Sequence, residues 1–501
     1  MSDTGLYSAL FQPHEQNDKL FLELDDGELS YREFLHLAAQ QATVLSSAGV
    51  NAGDRVAVQA AKTPETIALA AACARIGAAL LPLNTSYTPA ELEYFLTDAS
   101  PAVLICDPGA ENALTPIANS VSARVYTLDA SGSGTLTKVA SEAAAMTVIT
   151  PRAGDDLAAI LYTSGTTGRS KGAMLSNDNL LSNARTLRNL WQFDASDHLI
   201  HALPIFHTHG LFVAVNVAVS AGCSMRFMEK FDADKVFDAM PNATSIMGVP
   251  TFYTRMLADP RLTREATAGM RVFISGSAPL LAETHVEFER RTGQRILERY
   301  GMTETNMNTS NPFDGDRRAG TVGLPLPGVE VHVTDPETGK SLPQGERGMI
   351  EVRGDNVFQG YWNMPEKTKE EKRENGFFIT GDLGEFDEDG YLTIVGRAKD
   401  LIISGGYNIY PKEIEILLDD FPGVVESAVV GVPHKDMGEG VVAILAAGGD
   451  VDSDAIDLAL SKDLASFKRP RRYYVVDALP RNTMGKVQKA ELRKTYAAAF
   501  D

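Results

Sequence analysis

Residues 157–172 read Leu-Ala-Ala-Ile-Leu-Tyr-Thr-Ser-Gly-Thr-Thr-Gly-Arg-Ser-Lys-Gly, an apolar run that ends in a loop of small polar residues. The run Leu157–Tyr162 is typical of a strand buried on both faces of a sheet. Glycines let the loop turn tightly and present N–H groups to phosphate oxygens, and Lys171 adds a charge for terminal phosphates. The spacing of a Walker loop is missing. A flexible surface loop rich in Ser, Thr and Gly is the alternative interpretation.

Helix and strand patterns alternate on both sides of this loop, which indicates a layered α/β fold. Ser30 with Glu33, and Thr88 with Glu91, have capping-box spacing at the start of helical runs. The apolar stretch 67–83 contains Arg, Gly and Pro, so it predicts a buried helix that turns into a strand rather than a membrane span. Further short apolar runs predict buried strands: Val103–Cys106, Val272–Ile274 and Ile350–Val352.

A domain boundary is predicted near residues 396–400, where a short charged segment follows the strand pattern Tyr391–Val395. The remaining residues, about one hundred, have a common domain size. Their pattern predicts a small α+β domain with two helices and three strands. The predicted helices begin at Pro411 and after Ser453, and the predicted strands are Val424–Val432, Val441–Ala446 and Tyr473–Val476.

Composition excludes several classes of protein. The chain has 501 residues and a formal net charge of −20, which argues against nucleic-acid or anionic-membrane partners, since these require a clustered basic face. Its three cysteines, Cys73, Cys106 and Cys223, are scattered without metal-ligand spacing and fit a reducing cytoplasm. The first residues lack a basic segment followed by an apolar one, so no secretory signal is expected.

The run Tyr162–Gly172 closely resembles the signature of the adenylate-forming enzymes, which include acyl-CoA synthetases, firefly luciferase and peptide-synthetase adenylation domains. Further segments resemble the other family motifs and occur in the family's order: His201–Gly210, Ser275–Pro279, Tyr300–Glu304, Thr380–Asp382, Gly396–Gly406 and Pro480–Lys486. The resemblance implies a large N-terminal domain, residues 1–398, of layered α/β subdomains with a small β-barrel-like part. It also implies a small mobile C-terminal domain, residues 399–501, with its hinge at Lys399.

The resemblance implies that ATP, Mg²⁺ and coenzyme A bind to this chain. The residues that it assigns to ATP are Thr163, Ser164, Gly165, Thr166, Thr167, Gly168, Lys171, Gly276, Ser277, Ala278, Tyr300, Gly301, Asp382 and Arg397. Thr303 matches the residue that contacts the α-phosphate, and Glu304 matches the one that helps to hold Mg²⁺. Joining a carboxylate to the α-phosphate brings anions together, so a metal and oriented donors are needed there.

Lys486 resembles the mobile catalytic lysine, whose ammonium bridges the acid's carboxylate and the α-phosphate. His207 resembles the residue that shields the acid site until the adenylate forms. Gly405 and Gly406 would line the pantetheine path, where the absence of Cβ permits close passage. In the family, the small domain rotates at the hinge between the two half-reactions.

For the acid, the segments 201–210 and 299–310 look like those of bacterial malonyl-CoA synthetases. The resemblance implies that Thr208 and Met307 line the acid pocket. A dicarboxylic acid needs a second cation besides the catalytic lysine. Arg255 is the first candidate for the distal carboxylate and Arg299 the second, each with a structural ion pair as its alternative. The sequence therefore predicts a malonyl-CoA synthetase, and it leaves open whether methylmalonate is also accepted.

Other functions remain open at this stage. They are a ligase for a short monocarboxylic or aryl acid, an adenylating enzyme for a carrier protein, a luciferase-type oxygenase and a non-catalytic nucleotide sensor. The chain ends at Asp501, soon after Lys486, with no attached carrier domain, which disfavours the second. Acetylation of Lys486 by a lysine acetyltransferase is a further hypothesis, because it removes the charge.

Overall fold

A computed structural model of the protein describes residues 5–163, 170–404, 407–449, 451–482 and 486–501. The chain divides into two compact units. The first consists of Met1–Val331 and Val352–Phe378, and the second of His332–Glu351 and Ile379–Asp501. The second unit thus contains the predicted C-terminal domain together with two segments that precede it in sequence.

The described strands are numbered in chain order: β1 Leu20–Glu23, β2 Glu28–Ser30, β3 Arg55–Gln59, β4 Ala79–Pro82, β5 Val103–Cys106, β6 Arg124–Thr127, β7 Leu157–Thr163, β8 Lys171–Ser176, β9 His198–His201, β10 Ser224–Phe227, β11 Ser245–Gly248, β12 Val272–Ser275, β13 Leu297–Met302, β14 Asn306–Ser310, β15 Leu324–Pro325, β16 Val329–Thr334, β17 Gly348–Gly354, β18 Gly360–Tyr361, β19 Phe378–Phe386, β20 Leu392–Arg397, β21 Ile402–Ser404, β22 Tyr407–Ile409, β23 Val424–His434, β24 Gly438–Ala447 and β25 Arg472–Val476.

The described α-helices are α1 Tyr31–Ser47, α2 Pro64–Ile76, α3 Pro89–Ala99, α4 Glu111–Ser120, α5 Thr135–Glu142, α6 Asn177–Leu190, α7 Asn216–Ala221, α8 Ala233–Ala239, α9 Pro250–Ala258, α10 Ala282–Thr292, α11 Pro365–Glu371, α12 Pro411–Asp419, α13 Ser453–Leu460 and α14 Lys489–Thr495. Within the described part of the chain, no helix is both long and apolar enough to cross a membrane.

Two large sheets form the first unit. One has nine strands in the order β15-β14-β13-β12-β11-β9-β10-β1-β2, and the other has seven in the order β18-β8-β7-β4-β3-β5-β6. Their central strands run parallel and are joined by helices, so both faces are covered, as the apolar runs predicted. In the seven-stranded sheet, Leu81, Leu104 and Ile160 pack with Phe95 and Leu96 of α3 in one hydrophobic core.

Two smaller sheets complete the fold. The four-stranded sheet β16-β17-β19-β20 has most of its residues in the second unit. The other sheet, β22-β21-β24-β23 with β25 beside β24, is buried on both faces, because alternate residues of each strand point to opposite sides. Val429 and Ala443 lie in one core and Val430 and Val442 in the other.

Local signals in the sequence account for several element boundaries. Both predicted capping boxes form: Ser30 Oγ accepts from the N–H of Glu33, and Thr88 does the same for Glu91. The stretch 67–83 is a buried helix followed by a buried strand, as predicted. The mixed α/β class and the small α+β C-terminal part are therefore confirmed.

Candidate active site

Several predicted site residues of the first unit lie in segments that follow the parallel strands of the nine-stranded sheet. Residues 204–207 follow β9, α9 follows β11, residues 276–278 follow β12, and Thr303 and Glu304 follow β13. In open α/β sheets, ligands bind in the crevice outside the carboxyl ends of the strands. The topology therefore brings separate motifs to one edge of the sheet.

The phosphate loop joins two adjacent strands, β7 and β8. Thr163 ends β7 and is paired in antiparallel register with Lys171, which begins β8. The loop residues Ser164, Gly165, Thr166, Thr167 and Gly168, which the sequence assigns to ATP, lie outside the described residues. What is described is the pair of strands from which the loop extends.

Lys171 is buried and held by two side chains that the sequence reasoning missed. Its Nζ donates to both carboxylate oxygens of Glu371, each at 3.0 Å, and to the hydroxyl of Tyr361 at 2.9 Å. The same ammonium lies 4.0 Å from the centre of the Tyr361 ring. The predicted phosphate-binding cation is thus part of a partly buried ion pair.

Glu304 belongs to the same cluster through Tyr361. The Tyr361 hydroxyl lies 3.0 Å from Glu304 Oε1 and 2.6 Å from Glu371 Oε2, while Thr163 Oγ1 lies 3.4 Å from Glu304 Oε1. Burial, followed by the charge of Glu304, raises the pKa of Tyr361, so the hydroxyl keeps its proton. One buried hydroxyl therefore links the predicted metal-holding carboxylate to the carboxylate that holds Lys171.

Glu304 suits the Mg²⁺ that the family resemblance implies. Carboxylate and hydroxyl oxygens are the ligands that Mg²⁺ prefers, and it commonly binds through one or two carboxylates together with substrate phosphates. In the described part of the chain, no group of three or more His, Cys, Asp or Glu residues forms a complete metal site. The donors present fit a cation that arrives with the nucleotide.

Tyr300 and Gly301 lie on β13, which forms a tight hairpin with β14. Gly301 faces Met307 in this hairpin, and Thr303 and Glu304 lie in the turn that joins the strands. A Cβ atom at Gly301 would lie 1.8 Å from the carbonyl oxygen of Asn306, so only glycine fits at this position.

Replacing Gly301 by alanine is expected to destabilise the first unit by about 2 kcal/mol or more, because the clash is with backbone rather than with a movable side chain. The measurement is the midpoint of thermal unfolding. Gly27→Ala is the matched control, since no atom lies within 4 Å of its added Cβ. Equal midpoints for both variants would contradict the tight packing of the hairpin.

In the predicted adenine-side loop, Gly276 to Ala278, the first residue packs against the side chain of Arg299. A Cβ atom at Gly276 would lie 2.3 Å from Arg299 Cζ, so the guanidinium lies directly against the glycine. Ser277 has φ of 70°, a left-handed conformation that is uncommon for a residue with a side chain. Strained backbone of this kind clusters at functional sites.

Arg299 is a buried cation with unused donors. Its side chain is 3% exposed, and its Nε and Nη2 find no hydrogen-bond partner among the described residues. Burial lowers the pKa of Arg299 to about 9, which leaves it charged at neutral pH. A buried charge without a partner is costly unless an anion neutralises it.

Arg255 lies in a different environment. It lies near the end of α9 with an exposed side chain, 6.0 Å from the centre of the Phe231 ring. Of the two arginines that the sequence proposed for the distal carboxylate, only Arg299 is enclosed by protein.

Thr208 and Met307, the predicted lining of the acid pocket, are both buried. Thr208 Oγ1 donates to Asn306 Oδ1 at 2.8 Å, and Asn306 precedes Met307 on β14. The structure therefore places Thr208 beside β14, the strand that carries Met307.

His209 is a further buried polar residue that the sequence reasoning did not single out. Its Nδ1 lies 3.1 Å from Ser277 Oγ, and its buried Nε2 has no hydrogen-bond partner in the described chain. Burial first, and then the charge of Arg299, lowers the pKa of His209, so the ring is neutral. It offers a neutral polar atom near the guanidinium.

His207, the predicted shield of the acid site, follows Phe206 in the loop after β9. The two rings meet edge to face with centroids 4.5 Å apart. The carbonyl of His207 accepts from the N–H of Leu211 at 3.1 Å, which fixes the turn into the next helical segment.

In the second unit, Asp382 and Arg397 face each other across β19 and β20. Arg397 Nε lies 2.7 Å from Asp382 Oδ1, and the side chain of Asp382 is buried. The structure therefore brings together the residues predicted to bind the ribose. Gly381 has φ of 73°, a left-handed turn that any larger residue would strain.

The remaining predicted residues of the second unit lie in connecting segments. Lys399 has an exposed side chain in the short helical turn Ala398–Asp400, and partial desolvation of its ammonium lowers its pKa. Lys486 is exposed, and its backbone N–H donates to Asn482 Oδ1 at 2.9 Å. Gly405 and Gly406, predicted to line the pantetheine path, lie outside the described residues.

Two family models match the chain. Residues 11–362 match the model described as AMP-binding enzyme, and residues 413–486 match the model described as AMP-binding enzyme C-terminal domain. The first match spans well over half of the chain.

Individual proteins are similar along most of their length. The malonate–CoA ligase of Arabidopsis thaliana is 35% identical over 484 residues, which cover 88% of this chain and 78% of that protein. The sulfoacetate–CoA ligase of Cupriavidus necator is 34% identical over 454 residues, with coverage of 89% and 88%. Among solved structures, ATP-bound MatB from Rhodopseudomonas palustris has 56% sequence identity and a TM-score of 0.98 over 100% of both chains.

Proposed function

Because this chain belongs to the AMP-binding enzyme family, in which ATP, Mg²⁺ and coenzyme A serve the acid–CoA ligases, we propose that it joins malonate to coenzyme A. The carboxylate of malonate attacks the α-phosphate of ATP, which gives malonyl-AMP and releases pyrophosphate. The thiol of coenzyme A then attacks the acyl carbon, which gives malonyl-CoA and releases AMP. No cysteine nucleophile is needed, since coenzyme A brings its own thiol.

The observation that carries the choice of acid is the buried guanidinium of Arg299. A monocarboxylic acid leaves this charge unpaired, whereas the distal carboxylate of malonate accepts from Nε and Nη2 in a bidentate pair. We therefore assign the distal carboxylate to Arg299 rather than to the exposed Arg255. We further propose that Thr208 and Met307, which are both buried, line the acid site and leave room only for a short acid.

At the phosphates, the residues of the first unit supply charge and hydrogen bonds. Lys171 binds the terminal phosphates, Thr303 contacts the α-phosphate, and Tyr300 lies against adenine. Glu304 would hold Mg²⁺ together with the phosphates, and the bound metal would supply positive charge against the negative charge that develops there. Charge and hydrogen-bond donors placed where negative charge develops stabilise the transition state.

The second unit is proposed to complete each half-reaction in turn. Asp382 accepts hydrogen bonds from the ribose hydroxyls while Arg397 closes over the ribose and phosphate. Lys486 enters for adenylate formation, and rotation at Lys399 then brings Gly405 and Gly406 to the pantetheine path. In this proposal residues 399–501, which are only a part of the second unit, rotate relative to residues 1–398.

We also propose a cytoplasmic location and control by acetylation of Lys486. The exposed position of Lys486 makes its ammonium accessible to an acetyltransferase. Acetylation removes the positive charge that adenylate formation needs. Normal activity of protein fully acetylated at Lys486 would contradict this form of control.

The proposed substrate is tested with a panel of acids. ATP–pyrophosphate exchange is measured with malonate, methylmalonate, sulfoacetate, acetate and benzoate, and thioester formation is followed with free coenzyme A. We expect kcat/KM for malonate to exceed that for acetate by about 10²-fold or more, because acetate leaves a buried guanidinium unpaired. Higher activity with acetate or benzoate would overturn malonate as the substrate, and activity that requires a carrier protein would overturn coenzyme A.

A further inference from the structure

The ammonium of Lys171 has no donor left for a phosphate. A lysine has three N–H groups, and here two point to the oxygens of Glu371 and one to the hydroxyl of Tyr361. A phosphate oxygen that binds to Lys171 must therefore take the place of at least one of these partners. The Glu371 carboxylate and the nucleotide compete for the same ammonium.

Glu371 has two other polar partners, so its carboxylate does not become an isolated charge when Lys171 moves away. Its Oε1 also lies 3.1 Å from Nζ of Lys367, and its Oε2 lies 2.6 Å from the Tyr361 hydroxyl. Both contacts remain when Lys171 leaves. Burial by itself raises the pKa of Glu371, but the Tyr361 hydrogen bond and the charge of Lys171 bring it below its usual value, so the carboxylate is ionised.

We propose that Glu371 exchanges with the nucleotide for Lys171: the carboxylate gives up the ammonium when ATP binds and takes it back when pyrophosphate leaves. This inference rests on one part of the proposed function, the assignment of the terminal phosphates of ATP to Lys171, and not on the choice of acid. Glu371 is a positioning residue here, because it acts on the substrate only through Lys171.

The exchange sets the affinity of the site for both the nucleotide and the leaving product. Charge-assisted hydrogen bonds are about twice as strong as neutral ones, so the resident carboxylate weakens ATP and pyrophosphate binding alike. In the reaction, a carboxylate that reclaims Lys171 speeds the departure of pyrophosphate, which clears the site before the thioester step. Glu371 therefore lowers the affinity for ATP and raises the rate of pyrophosphate release.

The test compares Glu371→Gln with Glu366→Gln. Glu366 is an exposed residue of the same helix, α11, and its replacement removes the same charge away from Lys171. Affinities for MgATP and for magnesium pyrophosphate are measured by calorimetry on the full-length protein without acid, and pyrophosphate release is followed by stopped flow. We expect Glu371→Gln to bind both ligands about three- to tenfold more tightly and to release pyrophosphate more slowly, with wild-type values for Glu366→Gln.

A second variant is expected to change the affinities for ATP and pyrophosphate in the opposite direction, which distinguishes the exchange from a general loss of structure. Lys367→Met removes the other cation of Glu371, so the carboxylate holds Lys171 more firmly and ATP and pyrophosphate bind more weakly. Both variants binding more weakly, or neither changing, would overturn the exchange. A wild-type protein that binds ATP but forms no malonyl-CoA would contradict the proposed function alone and leave the exchange intact.

Discussion

Replacing Lys486 by alanine is expected to slow adenylate formation by a factor of about 10² to 10³, while thioester formation from supplied malonyl-AMP keeps most of its rate. The lysine is needed where the acid's carboxylate meets the α-phosphate, because two anions must approach each other there. Once the adenylate exists, the carboxylate charge has gone and the ammonium has no further role. The two rates are measured separately, by ATP–pyrophosphate exchange and by consumption of synthetic malonyl-AMP with coenzyme A.

The matched control for this experiment is Lys494→Ala. Lys494 is an exposed lysine of α14, in the same unit and eight residues further along the chain. We expect it to retain both rates. Equal loss of both half-reactions in Lys486→Ala would contradict the division of labour between the two orientations of the small domain.

Local sequence signals were sufficient for much of the fold. The capping boxes at Ser30 and Thr88 and the buried strand Val103–Cys106 form as predicted, because each depends on neighbouring residues. The hairpin strand β14 shows what local sequence signals cannot predict. Its sequence Asn-Met-Asn-Thr-Ser has the polarity of a loop, yet all of its residues are buried. Several of their polar groups are paired with residues distant in sequence, such as Asn183 for the backbone of Met307, and no local pattern indicates that.

Some residues of the candidate site could likewise be predicted from the sequence, and others could not. The motif around Lys171 identified the lysine, but its partner Glu371 comes 200 residues later, within a charged run that reads as a solvated helix. The charge of Arg255 and Arg299 made both candidates for the distal carboxylate. Burial, which distinguishes them, depends on how Gly276 and β13 pack together, and it becomes visible only in the folded chain.

The sharpest test of the proposed substrate is Arg299→Met. Removing one partner of a buried ion pair costs about 3–5 kcal/mol, so kcat/KM for malonate is expected to fall by about 10²- to 10⁴-fold. Acetate makes no such pair, so kcat/KM for acetate is expected to stay unchanged. The ratio of kcat/KM for malonate to that for acetate is therefore expected to fall, or the preference to reverse. Methionine is an unbranched apolar side chain, shorter than arginine, and it removes an unpaired buried charge, so the protein is expected to fold with an equal or higher unfolding midpoint.

Arg255→Met is the matched control, because it removes the same group from the exposed side of α9. We expect it to leave the malonate and acetate rates unchanged. If malonate activity were instead lost in Arg255→Met and retained in Arg299→Met, the distal carboxylate would belong to Arg255. Arg299→Lys refines the result: it keeps the charge but not the planar fork, so a partial recovery of malonate activity over Arg299→Met is expected from charge alone. Full recovery would show that a point charge suffices and that bidentate geometry contributes little to the choice of acid.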